Sequence, residues 1–251
     1  MPTKNVVIVG GHGRVSLKLQ SIIGSTHSVT SIIRNAAQIP ELEAISPNIK
    51  PLVLSIEDSS VSDFTKAFKD ADAGVVVFSA AAGVAGGAER TKAVDFEGAV
   101  KVFDAIESLP EGGKGRPKLV LVSALDVRNP DVIPKHYNEK DLDVSRRMRA
   151  ALGIYFHYKY LADLDLTART SFPWFILHPG GLTEEKATGK AGIGRTHLYP
   201  PISREDVAAL IAKIIDISDA KGLVMDLVGG EEPIGEGVER FVKAGVTDWL
   251  G

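Results

Sequence analysis

The chain has 251 residues, of which 44% are hydrophobic and 24% charged, enough apolar material for the sizeable core of one α/β domain. Its formal net charge of -3 argues against nucleic-acid binding, and no run approaches the roughly 18 to 20 apolar residues that span a bilayer. The lack of cysteine excludes disulfides, thiol catalysis and zinc–thiolate sites. Because the first residues show no signal-peptide pattern, we expect a cytoplasmic protein without a membrane or nucleic-acid partner.

Strand-like and helix-like segments alternate along the chain. Short apolar runs predict strands at 5–9, 28–33, 52–56, 73–78, 118–123, 174–177 and 223–228, and helical spacing predicts helices at 15–23, 90–109, 207–217 and near the C-terminus up to 244. This rhythm predicts a Rossmann-type doubly wound, mainly parallel sheet with helices on both faces. We find no internal repeat or long linker, so the sequence predicts a single domain, with a small substrate cap from segments 135–152 and 186–201.

A glycine-rich loop follows the first predicted strand and opens the first predicted helix. Gly10 can take the tight turn, and Gly13 lets the helix N-terminus approach a pyrophosphate, which its free N–H groups attract. The spacing is G-x-x-G-x-x-S, with a serine where a third glycine usually stands. This context predicts a dinucleotide site with contacts from Gly10, His12, Gly13, Arg14 and Val15.

An arginine, Arg34, stands at the end of the second predicted strand. An acidic residue there would bind the ribose 2′-hydroxyl of NAD, whereas an arginine can pair with a 2′-phosphate. Arg14, in the glycine loop, would approach the same region. The sequence therefore predicts that NADP(H) is preferred over NAD(H).

Tyr155 and Lys159 are four residues apart, which on a helix places both on one face, about 6 Å apart along the axis. A tyrosine, with an ordinary pKa of about 10, exchanges a proton near neutrality only if a cation lowers that pKa. Lys159 could supply the cation while it holds the cofactor's ribose. Ser123, at the end of the fifth predicted strand, could donate a hydrogen bond to the reacting oxygen, so these three residues are the predicted catalytic set.

Together these elements resemble the short-chain dehydrogenase/reductase superfamily, and most of all its atypical, NmrA-like NAD(P)-binding branch. The resemblance covers essentially the whole chain and rests on Gly10–Ser16, Arg34, Ser79–Ala81, Val122–Ala124, Tyr155–Lys159 and His178–Thr183. It implies that Ser55 and Ile56 flank the adenine, and that the strand end at Ser79 contacts the cofactor, with Ala80 and Ala81 along the adenosine ribose. It also implies that Pro179 and Gly180 lie along the nicotinamide, and it places His178 where the family usually has arginine.

Three hypotheses about function stay open at this point. The first is an NADP(H)-dependent oxidoreductase that transfers hydride between the nicotinamide and a small carbonyl or quinone-like substrate. The second is an epimerase or dehydratase that recycles a tightly held cofactor, and the third is a non-catalytic, NADP-binding redox sensor. No histidine lies near a carboxylate cluster, so we expect no metal site. The sequence names neither the substrate nor the oligomeric state.

Overall fold

The computed structural model of the protein describes residues 4–83, 86–111 and 115–251. The strands are β1 (Asn5–Val9), β2 (Ser28–Ile33), β3 (Ile49–Val53), β4 (Val75–Phe78), β5 (Lys118–Val122), β6 (Trp174–Pro179), β7 (Leu182–Thr183), β8 (Lys190–Ile193), β9 (Ile202–Ser203) and β10 (Leu223–Pro233). The helices are α1 (Arg14–Ile23), α2 (Ile39–Glu43), α3 (Val61–Asp70), α4 (Gly87–Thr91), α5 (Gly98–Glu107), α6 (Glu139–Thr167), α7 (Arg204–Asp216) and α8 (Ile234–Ala244). None of these helices is long and apolar enough to cross a membrane.

Eight of the strands form one sheet in the order β3-β2-β1-β4-β5-β6-β10-β8. Every neighbouring pair is parallel except β10 and β8, which are antiparallel. The strand order reverses between β1 and β4, and the carboxyl ends of the strands at such a reversal form the ligand crevice of open α/β sheets. The predicted Rossmann-type fold is confirmed.

The sheet is covered on both faces, which is why its central strands are apolar without interruption. Along β1, Val6 and Ile8 pack with α1 and α7 on one face, while Val7 and Val9 pack with α3 and α5 on the other. Helix α3 begins at a capping box, because the Ser60 hydroxyl accepts a hydrogen bond from the Asp63 N–H and the Asp63 carboxylate accepts one from the Ser60 N–H.

Several predicted boundaries were wrong for identifiable reasons. The third strand runs from Ile49 to Val53 and not over 52–56. It includes Pro51, which has no N–H group to donate to a neighbouring strand. A proline is tolerated here because β3 is an edge strand of the sheet. The helix predicted over 90–109 is α4 and α5 joined by a π-helical turn, Lys92–Glu97. The last strand continues to Pro233, past an irregularity after Val228.

Helix α6 is two helical segments joined at Leu152, whose φ of -128° and ψ of 24° are not helical. The first segment contains much of the stretch predicted as cap, and the second carries Tyr155 and Lys159. The carboxylate of Asp141 in the first segment accepts hydrogen bonds from His197 Nδ1 at 2.6 Å and the Leu198 N–H at 2.9 Å. The two stretches predicted to form the cap therefore contact each other.

Candidate functional site

A cleft of about 270 Å³ lies at the carboxyl ends of β1, β2 and β4, where the strand order reverses. Eight of the residues predicted to bind the cofactor line it: Gly10, His12, Gly13, Arg34, Ile56, Ser79, Ala80 and Ala81. Sequence reasoning missed the rest of the lining, which consists of Ile32, Ile33, Gln38, Leu54, Glu57, Ala82, Arg90 and Val94. The sequence offers one signal for half of them: Ile33, Leu54, Glu57 and Ala82 directly precede or follow a predicted site residue.

The glycine loop is shaped to admit a phosphate group. Gly10 has a φ of +86°, and a Cβ on it would come within 2.7 Å of the Ala80 backbone, so only glycine fits without movement. Gly13 is the N-cap of α1 and leaves the first turn without a side-chain cap. The free N–H groups of that turn and the helix dipole favour an anion. The loop thus fits a dinucleotide pyrophosphate.

Polar side chains surround the end of β2, next to the glycine loop. Arg34 is exposed, lines the cleft and forms no ion pair with any residue in the described ranges. His12 lies beside it, with Nε2 2.6 Å from Glu41 Oε2 and Nδ1 3.0 Å from Gln38 Nε2. A neutral imidazole satisfies both contacts if Gln38 donates to Nδ1 and Nε2–H donates to Glu41. Arg34 is thus a cation available to a ligand at this end of the cleft.

Three of the residues predicted to contact the cofactor have no side chain in the lining of the cleft, and their contacts stay predictions. The Arg14 guanidinium is 2.6 Å from the Glu184 carboxylate. The Val15 side chain is buried in the core beneath the loop, which leaves only its backbone N–H for a ligand. The Ser55 hydroxyl donates to Asp58 at 2.7 Å and does not line the cleft.

Tyr155 and Lys159 lie on one face of α6, as predicted, with Lys159 Nζ 5.8 Å from the centre of the Tyr155 ring. Lys159 is only 2% exposed, and its ammonium group donates to the Val122 carbonyl at 3.2 Å and lies 3.2 Å from Asp95 Oδ1. The other Asp95 oxygen accepts from the Ala82 N–H. Asp95 belongs to the π-helical turn, a distortion that recurs at functional sites. This aspartate was not predicted.

Burial and neighbouring charges determine the ionisation states of Tyr155 and Lys159. Burial raises the pKa of Tyr155 above its ordinary value and outweighs the lowering by the Lys159 cation. The predicted net lowering of the tyrosine pKa is therefore wrong, although the effect of the lysine alone has the predicted sign. Burial by itself lowers the pKa of Lys159, but Asp95, Tyr155 and Asp163 together outweigh burial, and the pKa lies above its ordinary value. At neutral pH the pair is a phenol beside an ammonium ion.

Ser123 is the first of a series of buried, hydrogen-bonded side chains at the carboxyl ends of β5 and β6. Its hydroxyl donates to Asp163 Oδ2 at 2.7 Å. His178 Nε2 lies 3.0 Å from the same oxygen, and His178 Nδ1 lies 3.1 Å from Asp226 Oδ1. The predicted role of Ser123 as a hydrogen-bond donor to a substrate stays a prediction, although the single proton of its hydroxyl is directed to Asp163 here.

The imidazole of His178 is held between two carboxylates. Burial lowers its pKa, but the hydrogen bonds to Asp163 and Asp226 outweigh burial and raise the pKa to about 9. Nearby, burial and the Asp226 charge raise the pKa of Asp248 to about 6. The Trp249 ring lies 6.4 Å from the imidazole and covers it. His178 is thus a buried cation at neutral pH.

We expect the protein to lose stability as the pH rises from 7 to 10. The folded-state pKa of His178, about 9, is above its unfolded value of about 6.5, so its contribution is complete below pH 6.5 and disappears above pH 9. The shift corresponds to about 3 kcal/mol. Urea unfolding across this pH range measures it. His178→Gln should flatten the slope, and an unchanged slope in that variant would contradict the assignment.

Pro179 and Gly180 follow His178 at the end of β6, away from the glycine-loop cleft. The Gly180 N–H donates to the Leu227 carbonyl at 2.8 Å, and a Cβ on Gly180 would come within 3.0 Å of Val228. Both residues therefore lie at the same sheet edge as Ser123, where their predicted contact with the nicotinamide remains a prediction. In the described ranges, no group of three or more histidine and acidic side chains is arranged to hold a metal ion.

Comparison with known proteins gives consistent results over nearly the full chain. The sequence family described as NAD(P)H-binding matches residues 10–217. A UPF0659 protein of Schizosaccharomyces pombe is 35% identical, over 97% of this chain and 97% of its own. A Bacillus subtilis protein named as an uncharacterised sugar epimerase is 28% identical, over 94% of this chain and 99% of its own. A solved structure from Bacillus halodurans, named as an NAD-dependent epimerase/dehydratase, has a TM-score of 0.77 and 30% identity, covering 95% of this chain and 100% of its own.

Proposed function

This chain belongs to the NAD(P)H-binding family, and from that premise we propose that it is an NADP(H)-dependent oxidoreductase acting on a small carbonyl or quinone-like substrate. The family and its structural neighbours are consistent with an atypical short-chain dehydrogenase/reductase. One observation carries the proposal. The cleft at the strand-order reversal is lined by Arg34, which forms no ion pair within the described ranges, and Lys159 of the Tyr155–Lys159 pair donates to the Val122 carbonyl at the same edge of the sheet.

The residues that would hold the cofactor match its pyrophosphate and its 2′-phosphate in turn. The N–H groups at the start of α1, which have no side-chain cap, suit the pyrophosphate. Arg34 suits a 2′-phosphate, since a guanidinium binds phosphate oxygens through paired N–H groups. When bound, a reduced nicotinamide supplies the hydride that a carbonyl carbon accepts.

The chain's own residues supply the proton. Tyr155, whose raised pKa keeps its hydroxyl protonated at neutral pH, gives its phenolic proton to the carbonyl oxygen, which becomes the hydroxyl of the product alcohol. The resulting phenolate, stabilised by the adjacent Lys159 cation, regains a proton from solvent. Asp95 acts through Lys159, because it holds the ammonium group against the Val122 carbonyl. A protonated tyrosine suits the reducing direction.

We expect Arg34→Asp to reverse the cofactor preference. A charge-assisted hydrogen bond contributes about 1.5–3 kcal/mol, so the Kd for NADPH should rise by roughly 10- to 150-fold. The Kd for NADH should stay the same or fall, because the new carboxylate can bind the ribose 2′-hydroxyl. Titration of nicotinamide fluorescence measures both constants. Arg14→Asp is the matched control, since Arg14 pairs with Glu184, and should leave the NADPH-to-NADH ratio of Kd values unchanged. An Arg34 variant with an unaltered NADPH-to-NADH ratio would remove the basis for NADP(H).

An epimerase or dehydratase is a second candidate, and the names of two relatives favour it. Such an enzyme returns its cofactor to the starting oxidation state in each cycle, so release between turnovers is unnecessary. Absorbance and mass spectrometry of the freshly purified, denatured protein would detect co-purified dinucleotide. A near-equimolar amount favours the epimerase or dehydratase, and its absence favours the reductase.

A further inference from the structure

The buried carboxylate of Asp163 determines which way the Ser123 hydroxyl points. Asp163 follows Lys159 by one helical turn on α6, so its side chain faces the same sheet edge as the catalytic pair. It is fully buried, and its Oδ2 atom receives both the Ser123 hydroxyl and His178 Nε2. Two donors on one oxygen fix that oxygen in place.

His178 lies beside the Asp163 carboxylate, with Nε2 3.0 Å from the oxygen that accepts the Ser123 hydroxyl. The His178 imidazole is only 3% exposed and is held from its other side by Asp226. In turn, the Asp226 N–H donates to Asp248 at 3.0 Å. The arrangement thus places a fixed positive charge next to Asp163.

We propose that Asp163, held by His178, is a positioning residue that makes Ser123 a hydrogen-bond acceptor towards the substrate. A serine hydroxyl has one proton and two lone pairs, and the proton is used in the 2.7 Å bond to Asp163. The group that Ser123 recognises is then a donor. This inference rests on the proposed function and narrows its substrate class to compounds that carry a hydrogen-bond donor, a hydroxyl or an N–H group, near the reacting carbonyl.

The lack of cysteine in the chain offers a direct test, since Ser123→Cys introduces the protein's single S–H group. Its infrared S–H stretching band reports whether the group donates a hydrogen bond. We expect the band of the S123C protein to be stronger and lower in frequency than that of N-acetylcysteine in water. In S123C/D163N the band should return towards the reference, because an amide accepts more weakly than a carboxylate.

The control S123C/D165N makes the same substitution on the same helix, at an aspartate that pairs with Arg169 and does not contact Ser123, and should leave the band in place. A reference-like band in S123C would overturn the proposal, as would a band that D163N leaves unchanged. If the S123C/D163N protein fails to fold, the frequency of the S–H band in the S123C protein alone tests the proposal.

The measurement uses neither cofactor nor substrate. A protein with the shifted band that binds no NADPH would refute the proposed function and leave the Ser123 assignment intact. A protein that binds NADPH but shows a reference-like band would refute the Ser123 assignment and leave the proposed function intact.

Discussion

Replacement of Tyr155 by phenylalanine is expected to lower turnover by roughly 10²- to 10⁴-fold, the usual contribution of a general acid. The NADPH Kd should change less than about twofold, because the lost hydroxyl has no hydrogen bond to any group in the described ranges and does not line the glycine-loop cleft. NADPH oxidation with a panel of aldehydes and quinones measures turnover, and fluorescence titration measures Kd.

Tyr158→Phe is the matched control for this experiment. Tyr158 lies on the same helix but stacks on Phe96, with ring centres 6.3 Å apart, and has no place in the proposed mechanism. It should retain nearly full activity. Equal turnover in the Tyr155 variant and the unaltered protein would exclude Tyr155 from the chemistry. A protein that binds NADPH tightly but turns over no acceptor would instead support the redox-sensor hypothesis.

The second large effect is expected from Asp95→Ala, which removes the carboxylate beside a lysine that is 2% exposed. Breaking a buried ion pair from one side typically costs about 3–5 kcal/mol, because the remaining charge is left uncompensated. Urea unfolding monitored by circular dichroism measures the loss. Glu97→Ala, in the same helical turn, removes only an exposed pair with Lys92 and should leave stability nearly unchanged.

A double variant separates stability from function at this pair. Adding Lys159→Met to Asp95→Ala removes the orphaned charge, so much of the lost stability should return. Turnover should not return, because the phenolate of Tyr155 would still lack its cation. Recovery of turnover together with stability would show that the pair is only structural. If Asp95→Ala alone loses no stability, the short Asp95–Lys159 contact contributes nothing to the fold.

The sequence by itself determined the fold class and half of the candidate site. Uninterrupted β-branched runs such as β1 can only be buried on both faces, and that requirement leads to a parallel sheet with helices on each side. The glycine loop and Arg34 are local features, because their meaning depends on a strand ending and a helix beginning within a few residues. Spacing of four residues likewise sufficed to place Tyr155 with Lys159.

Only the tertiary structure decided which partners the charged groups take. Asp95 reaches Lys159 from 64 positions earlier in the chain, and Asp226 reaches His178 from 48 positions later. Side chains so far apart in sequence meet through sheet order and helix packing, which local spacing does not encode. The ion pair of Arg14 was not predicted for the same reason, since its partner Glu184 is 170 residues away. Strand ends and helical turns reveal where a site lies, whereas the ionisation state and hydrogen-bond direction of its residues depend on these distant contacts.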